Sequence, residues 1–252
     1  MKEQDLTGGN VAGSVRRVGD TVGKPSGPWT TGVDALLTHL ATVGFSGAPR
    51  TLGRDAQNRQ VLEYIPGRPA QDLAPLSPDA LHRVGALIRD LHDATEGFVP
   101  PADARWQVVI PPDREDLICH HDLGPWNLIV GELRWVFIDW DDAGPGSRLW
   151  DLAYAVTGFV PMRAGGDPAV DGLRLRALAD GYRLSAAQRA ELPPLIAAHT
   201  TGMFRLLCDG ARTGQQPWAR LHAAGHADYW GASADYIRRN LGVWTRALAA
   251  DG

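Results

Sequence analysis

Apolar positions change their period along this chain. Up to about residue 65 they come in short β-favouring runs broken by glycine. "VRRV" (15–18) and "TV" (21–22) read as a hairpin or small meander, and "TLGRDAQNRQVLE" as two strands around an Asp-Ala-Gln-Asn turn. Between these runs Val33, Leu36, Leu37 and Leu40 fall at helical spacing, with Gly44 as a stop. Pro66-Gly67 reads as a linker, and beyond it the texture turns helical. Ser77 is placed as an N-cap and Pro78 at the first helical position, ahead of an apolar face of Leu81, Val84, Ile88 and Leu91. "LIV" and "RWVFIDW", separated by Gly131-Glu132, read as a β-hairpin with a loop at each end. After Trp150 helices dominate, and the last carries a seam of Trp230, Ala234, Ile237, Leu241, Trp244 and Leu248. The pattern predicts an α+β chain with a small β-rich N-lobe over 1–65 and a larger, mainly helical C-lobe over 66–252.

Composition narrows the partners. A length of 252 residues, 44% apolar and 21% charged, suits a soluble chain with a sizeable core. A net charge of −4 and a pI near 6.0 give no electrostatic footprint for nucleic acid. "MKEQDLTGGN" has no apolar core, so no secretory signal is expected, and no apolar run approaches the ~20 residues of a membrane helix. Cys119 and Cys208 offer neither a disulfide framework nor metal spacing. These features predict a cytoplasmic protein with no nucleic-acid or membrane partner.

The stretch "ICHHDLGPWNLIV" (118–130) gathers polar groups that apolar surroundings do not explain. His120, Asp122 and Asn127 stand as H-x-D-x-x-x-x-N, and the following strand run ends at Asp139 in "FIDWDD". Phosphoryl transfer from a nucleotide needs a carboxylate to orient and deprotonate the acceptor hydroxyl, and oxygen ligands for Mg²⁺ on the phosphates. One loop supplying Asp122 and Asn127, with Asp139 at the end of an adjacent strand, meets that need.

"CHHDLGPWNLIV", followed by "VFIDWDDAGPGSRLWDLAYA", resembles the aminoglycoside phosphotransferase family of the protein-kinase-like superfold. The family pattern is H-G-D-x-x-x-x-N, then I-D with an acidic follow-up, then D-L-A; His121 stands where glycine is usual. "RDLHDAT" is similar to the family's segment ahead of the catalytic loop. The resemblance implies a bilobal kinase-like fold with Asp122 as catalytic base and Asn127 and Asp139 as metal ligands. It implies scaffold roles for His120, beneath the site, and Asp151, bracing the loop. It further implies that backbone at Glu63, Tyr64 and Ile65 meets the purine, and that Gly8 and Gly9 of "LTGGN" let backbone approach the phosphates. The phosphate-anchoring cation falls to Lys24, with Arg17 as substitute, and its acidic partner on the next helix to Asp34.

The implied activity is Mg²⁺-dependent transfer from ATP, with GTP not excluded, to a hydroxyl of a small molecule, an aminoglycoside-like antibiotic among the options. A metabolite kinase of choline, homoserine or sugar type is an alternative, and so is a pseudokinase serving as a nucleotide-binding interaction module. Other features carry plainer readings. Asp141 and Asp142 read as solvated loop carboxylates, and Cys119 as a buried thiol. Trp126, Trp140 and Trp150 read as core packing around the loop, and His222 with His226 as surface or packing residues rather than a metal pair.

Overall fold

The computed structural model describes residues 3–6 and 15–249. Strands β1 (Glu3–Leu6), β2 (Val15–Val18), β3 (Thr21–Lys24), β4 (Thr51–Arg54) and β5 (Gln60–Glu63) form an antiparallel sheet in the order β1-β2-β3-β5-β4. The turn between β4 and β5 is fixed by Asp55, whose carboxylate accepts from the amides of Gln57 and Arg59 at 2.9 Å each. Asn58 takes the left-handed conformation there, which a short polar side chain tolerates. Between β3 and β4 runs α1 (Thr30–Thr42), which buries Val33, Leu36, Leu37 and Leu40. Its end is set by Gly44 at φ +83°, where the Gly44 amide donates to Ala41 O and that of Phe45 to Leu40 O.

The chain continues through β6 (Arg68–Pro69), α2 (Pro78–Thr95), β7 (Leu117–Cys119), β8 (Leu128–Val130), β9 (Trp135–Phe137) and β10 (Gly144–Gly146). The expected hairpin of two apolar runs is β8–β9, flanked by β6 in a three-stranded sheet, while β7 pairs with β10. Ile65, Ile129 and Val136 pack as one apolar cluster beneath the hairpin.

Contacts divide the chain into two compact units. The first holds residues up to Pro75, Asp90–Val109 and Arg114–Gly146, and the second Leu76–Arg89, Ile110–Asp113 and everything from Ser147. The first therefore contains all the strands.

The second unit is built of helices. Ser77 caps the start of α2, its Oγ accepting from the Ala80 amide at 3.2 Å, and Leu81, Val84 and Ile88 are buried. Then come α3 (Arg148–Phe159), α4 (Pro168–Tyr182), α5 (Ala186–Thr213), α6 (Trp218–Ala223) and α7 (His226–Ala249). Ser147 and Asp167 cap α3 and α4, and Ser185 with Gln188 forms a capping box on α5. Gly85 of α2 and Gly181 of α4 let those helices touch backbone to backbone. A Cβ on Gly85 would lie 2.0 Å from Leu178 O, and one on Gly181 1.9 Å from His82 O. On α7, Ala234, Ile237, Trp244 and Leu248 are buried and Trp230 and Leu241 half-buried, on the face that packs against α4 and α5. Each fully buried Leu or Ile contributes roughly 1.5–3 kcal/mol. His222 and His226 are divided between α6 and α7 by Gly225 at φ +87°.

Candidate active site

The loop between β7 and β8 carries the polar motif, and its backbone is fixed by His120. This ring is fully buried; its Nδ1 accepts from the Asp122 amide at 3.2 Å and its Nε2 lies 3.1 Å from Ile138 O. An amide needs an acceptor and a carbonyl a donor, so the proton is assigned to Nε2. The ring packs on Trp140, centroids 4.5 Å apart, and on Phe137 at 6.0 Å. His120 thus joins the loop to the segment that follows β9, which ends at Phe137 rather than at Asp139 as the sequence suggested.

Both carboxylate oxygens of Asp122 are held from within the loop. Asn127 Nδ2 donates to Oδ2 at 2.6 Å and to the Asp122 carbonyl at 3.0 Å, while Trp126 Nε1 donates to Oδ1 at 3.2 Å. A carboxylate only accepts, so the amide nitrogen of Asn127 must face it, and Asn127 Oδ1 is the atom left for a cation. The Ile138 amide donates to Asn127 O at 2.8 Å, and so holds Asn127 beside the turn that carries Asp139.

His121 and Asp139 both adopt left-handed backbone, at φ +63° and +60°. Such conformations are uncommon away from glycine, and His and Asp tolerate them better than most residues. The left-handed position explains a pattern that favours glycine at 121. Here the imidazole finds a use: Nε2 lies 3.2 Å from Gly144 O and 3.0 Å from Pro145 O. Glycine at 146 leaves room for the ring, since a Cβ there would sit 2.8 Å from His121 Cε1.

Lys24, the only lysine besides Lys2, is buried at the end of β3. Its Nζ lies 2.9 Å from Asp139 Oδ1 and 2.8 Å from Asp141 Oδ2. Burial alone would lower the ammonium pKa, but the Asp139 and Asp141 carboxylates together hold it above the usual lysine range. Asp34 takes different partners, accepting from Gln60 Nε2 at 2.7 Å, Thr51 Oγ1 at 2.8 Å and Arg54 at 3.0 Å. Gln60 stands opposite Lys24 in the β3–β5 register, so the helix acid reaches the lysine's neighbour rather than the lysine. Arg17 lies over the Tyr64 ring, 3.6 Å from its centroid, and donates to Gly19 O.

Asp141 is therefore an ion-pair partner rather than a solvated carboxylate, and Asp142 is half-buried with an acceptor bond from Gln107 Nε2 at 3.1 Å. Burial pushes the Asp142 pKa up and the charges of Asp139 and Asp141 add to this, against the Gln107 bond. Sequence reasoning missed Gln107 altogether, and no spacing pattern marks it. For Trp126 the contrast is with Trp140, which is 2% exposed and donates to Phe137 O, whereas Trp126 is 37% exposed.

Around the segment expected to meet the purine, the Glu63 amide donates to Arg50 O and the Tyr64 amide to Asp20 O, both at 2.9 Å. The Ile65 amide has no acceptor among the described residues. The Glu63 side chain accepts from Arg134 at 2.6 Å and from the Arg50 amide at 3.2 Å. Gly8 and Gly9 lie outside the described residues. In the second unit Asp151 is buried in the first turn of α3, its amide bonded to Ser147 O, where the helix dipole favours a carboxylate.

Residues 100–192 match the model of the phosphotransferase enzyme family. The trifolitoxin immunity protein of Rhizobium leguminosarum bv. trifolii is 34% identical over 198 residues, covering 73% of this chain and 75% of that one. An amicoumacin kinase solved with AMP-PNP and Ca²⁺ aligns at TM-score 0.68 and 15% identity, over 95% of this chain and 88% of its own. A microcompartment-associated aminopropanol kinase gives 0.66 at 18%, over 98% and 94%. A choline/ethanolamine kinase family protein from Mesorhizobium loti gives 0.65 at 16%, over 99% and 92%. At such identities these likenesses are ones of fold, and the fold is the α+β one of the protein-kinase-like superfold. The stronger sequence relationship reaches further: with 34% identity over 198 aligned residues, three quarters of a relative, the chain belongs to the phosphotransferase enzyme family.

Proposed function

We propose that the protein moves the γ-phosphoryl group of ATP or GTP, bound with Mg²⁺, to a hydroxyl of a small molecule. The observation that carries this reading is the hydrogen bonding of Asp122, which orients its carboxylate from both sides and turns Asn127 Oδ1 away from it. Asp122 aligns the acceptor O–H and takes its proton as the new oxygen–phosphorus bond forms and the bond to the nucleotide's bridging oxygen breaks.

Asn127 Oδ1 and the Asp139 carboxylate are hard oxygen donors and suit Mg²⁺ rather than a thiophilic ion. Bound there, the metal would neutralise charge on the phosphates. Lys24 supplies the ammonium for the α- and β-phosphates. The Ile65 amide is the donor left for the purine, alongside the carbonyls of 63–65. His120 keeps the loop in shape, and Asp151 braces it. In this reading 1–65 is the nucleotide lobe and 66–252 carries the catalytic loop and acceptor site, in a cytoplasmic enzyme. The amicoumacin kinase, solved with a nucleotide analogue and a divalent cation, supports the cofactor pair.

The test is ADP release over a panel of alcohols during a magnesium titration, with wild type beside Asp139→Asn. Turnover is expected only in wild type, and an Asp139→Asn enzyme active at all magnesium levels would remove Asp139 from the metal site. A second reading is favoured by the immunity protein: the acceptor is an antibacterial compound that phosphorylation disarms. Expression should then raise the inhibitory concentration of that compound in a sensitive host, and Asp122→Asn should not.

A further inference from the structure

A cavity of about 440 Å³ opens at the C-terminal end of α1, and all of its walls belong to the first compact unit. Its apolar side is made by Leu37 and Ala41 of α1, with Phe45 and Pro49 from the segment that follows. Its polar side carries Arg50, Glu63 and Arg134. It shares no lining residue with the loop between β7 and β8, and Lys24 does not reach it. Such a volume suits a small organic molecule, since ligand pockets enclose roughly 300–1,000 Å³.

The two arginines are held differently. Arg134 is committed to the fold, donating from Nη2 to Glu63 Oε1 at 2.6 Å and from Nη1 to Ser46 O at 3.0 Å. The Arg50 side chain meets Glu63 only through Nε, at a long 3.4 Å, and is 69% exposed. Its two terminal nitrogens have no acceptor among the described residues. Because Arg134 already neutralises Glu63, the Arg50 guanidinium leaves the lining one positive charge in excess. An exposed ion pair at that distance adds little to stability, so folding accounts for little of the second arginine. The rim repeats the apolar character. Val43 and Leu133, next in the chain to the lining residues Gly44 and Arg134, are 52% and 97% exposed.

We propose that this cavity is a second ligand site, for a small carboxylate with an apolar body. The carboxylate takes the terminal nitrogens of Arg50, and the body lies on Leu37, Ala41, Phe45 and Pro49. A planar carboxylate matches two parallel N–H bonds from a guanidinium, and an apolar body gains by leaving water for the α1 side. No bond is made or broken there. The inference does not rest on the phosphotransfer reading, which uses the backbone of Glu63 and not its side chain. A ligand in the cavity would lie beside the end of β5, the strand that leads into the segment proposed for the purine.

The experiment titrates the full chain with phenylacetate, phenylacetamide and inorganic phosphate, followed by calorimetry and by the amide NMR signals of residues 41–50. Phenylacetate is expected to bind with a Kd of about 1 mM, as suits so small a ligand. The neutral amide lacks the charge and phosphate lacks the apolar body, so each should bind at least about tenfold more weakly. Arg50→Gln should weaken phenylacetate about tenfold, the loss of one charged hydrogen bond. Ala41→Leu, at an exposed helix position, should fill the apolar side and abolish binding. Both variants should melt close to wild type; if Ala41→Leu does not fold, Arg50→Gln and the three ligands decide. The proposal is overturned by a wild type without saturable binding, by an amide or phosphate that binds as tightly as phenylacetate, or by either variant binding as wild type does. A phenylacetate site lost in Lys24→Met but kept in Arg50→Gln would place the anion at the lysine and overturn it too. Binding by a protein that phosphorylates no alcohol would still support the cavity, since the phosphotransfer reading fails separately.

Discussion

The loop between β7 and β8 and the end of strand β3 both reach the segment after β9, the loop at Ile138 and the strand end at Asp139 and Asp141, yet they are built by different rules. In the loop, partners lie within a few residues: Asp122 is held by Trp126 and Asn127, and its amide by His120. At the strand end every partner is distant, with Lys24 joined to Asp139 and Asp141 across more than a hundred positions. The loop keeps the family pattern apart from His121, and there the substitution is compensated by bonds to Gly144 and Pro145. The strand end departs from it, because the acid on α1 serves Gln60, Thr51 and Arg54 instead of the lysine. A short-range constellation is fixed by spacing, whereas a long-range ion pair can change partners while the fold persists.

That contrast is open to attack, most severely in the loop. Asp122→Asn retains the size of the side chain and removes the proposed base, so kcat should fall about 10²–10⁴-fold. The melting temperature should stay within a few degrees of wild type. A variant that keeps more than a tenth of wild-type turnover would assign the proton to another group and undo the claim that the loop is the chemical half of the pair.

At the strand end, Lys24→Met removes the ammonium that faces both Asp139 and Asp141. Charged hydrogen bonds contribute about 1.5–3 kcal/mol, so the KM for nucleotide should rise roughly 10- to 150-fold while the KM for acceptor changes little. Equal effects on the two constants would show that Lys24 shapes the aspartate turn rather than the phosphates.

Legibility in the amino-acid sequence follows the same division. The hairpin β8–β9, helix α1 with its stop at Gly44, and the Ser77 cap are local patterns, and each lies where its spacing puts it. His120, Asp122 and Asn127 stand close in the chain, and the structure joins them by hydrogen bonds and ties the loop to Ile138, next to Asp139. The ion pair of Asp141 with Lys24 and the hydrogen bond of Gln107 to Asp142 are not legible. Their partners are chosen by tertiary approach, which no periodicity records. Trp126 misleads because apolar composition implies burial only on average, and one large aromatic can face water for reasons that composition does not carry.

Asp34→Ala separates support from chemistry at the strand end. It leaves the Gln60 amide, in a residue only 1% exposed, without its carboxylate. An unpaired buried donor costs about 1–3 kcal/mol, so melting should drop by several degrees. The KM for nucleotide should be unaffected, because Lys24 does not touch Asp34. A rise in that constant matching the one in Lys24→Met would mean that the helix acid acts on the lysine through Gln60, and the two regions would then be less different than their contacts indicate.

The smallest effect concerns Glu63, where the sheet leads into the segment proposed for the purine. Burial raises the pKa of this carboxyl, but hydrogen bonds from Arg134 and the Arg50 amide, with the charge of Arg134, outweigh it and hold the group below its ordinary value of 4.5. A depressed folded pKa means that the ionised form stabilises the fold above the unfolded value and that this contribution is lost as pH falls through and below 4.5. Glu63→Gln cannot ionise, so it should be less stable than wild type at neutral pH, by about 1 kcal/mol or less for a site near the surface. The gap in unfolding free energy should hold steady down to roughly pH 5 and narrow below it, as the wild-type carboxyl takes up its proton. Urea titrations at pH 7, 5 and 4 measure that gap directly. A gap that does not change with pH would mean that Arg134 and Arg50 stabilise residue 63 by shape rather than charge, and the ion pairs of the sheet would then differ in kind from those holding Lys24.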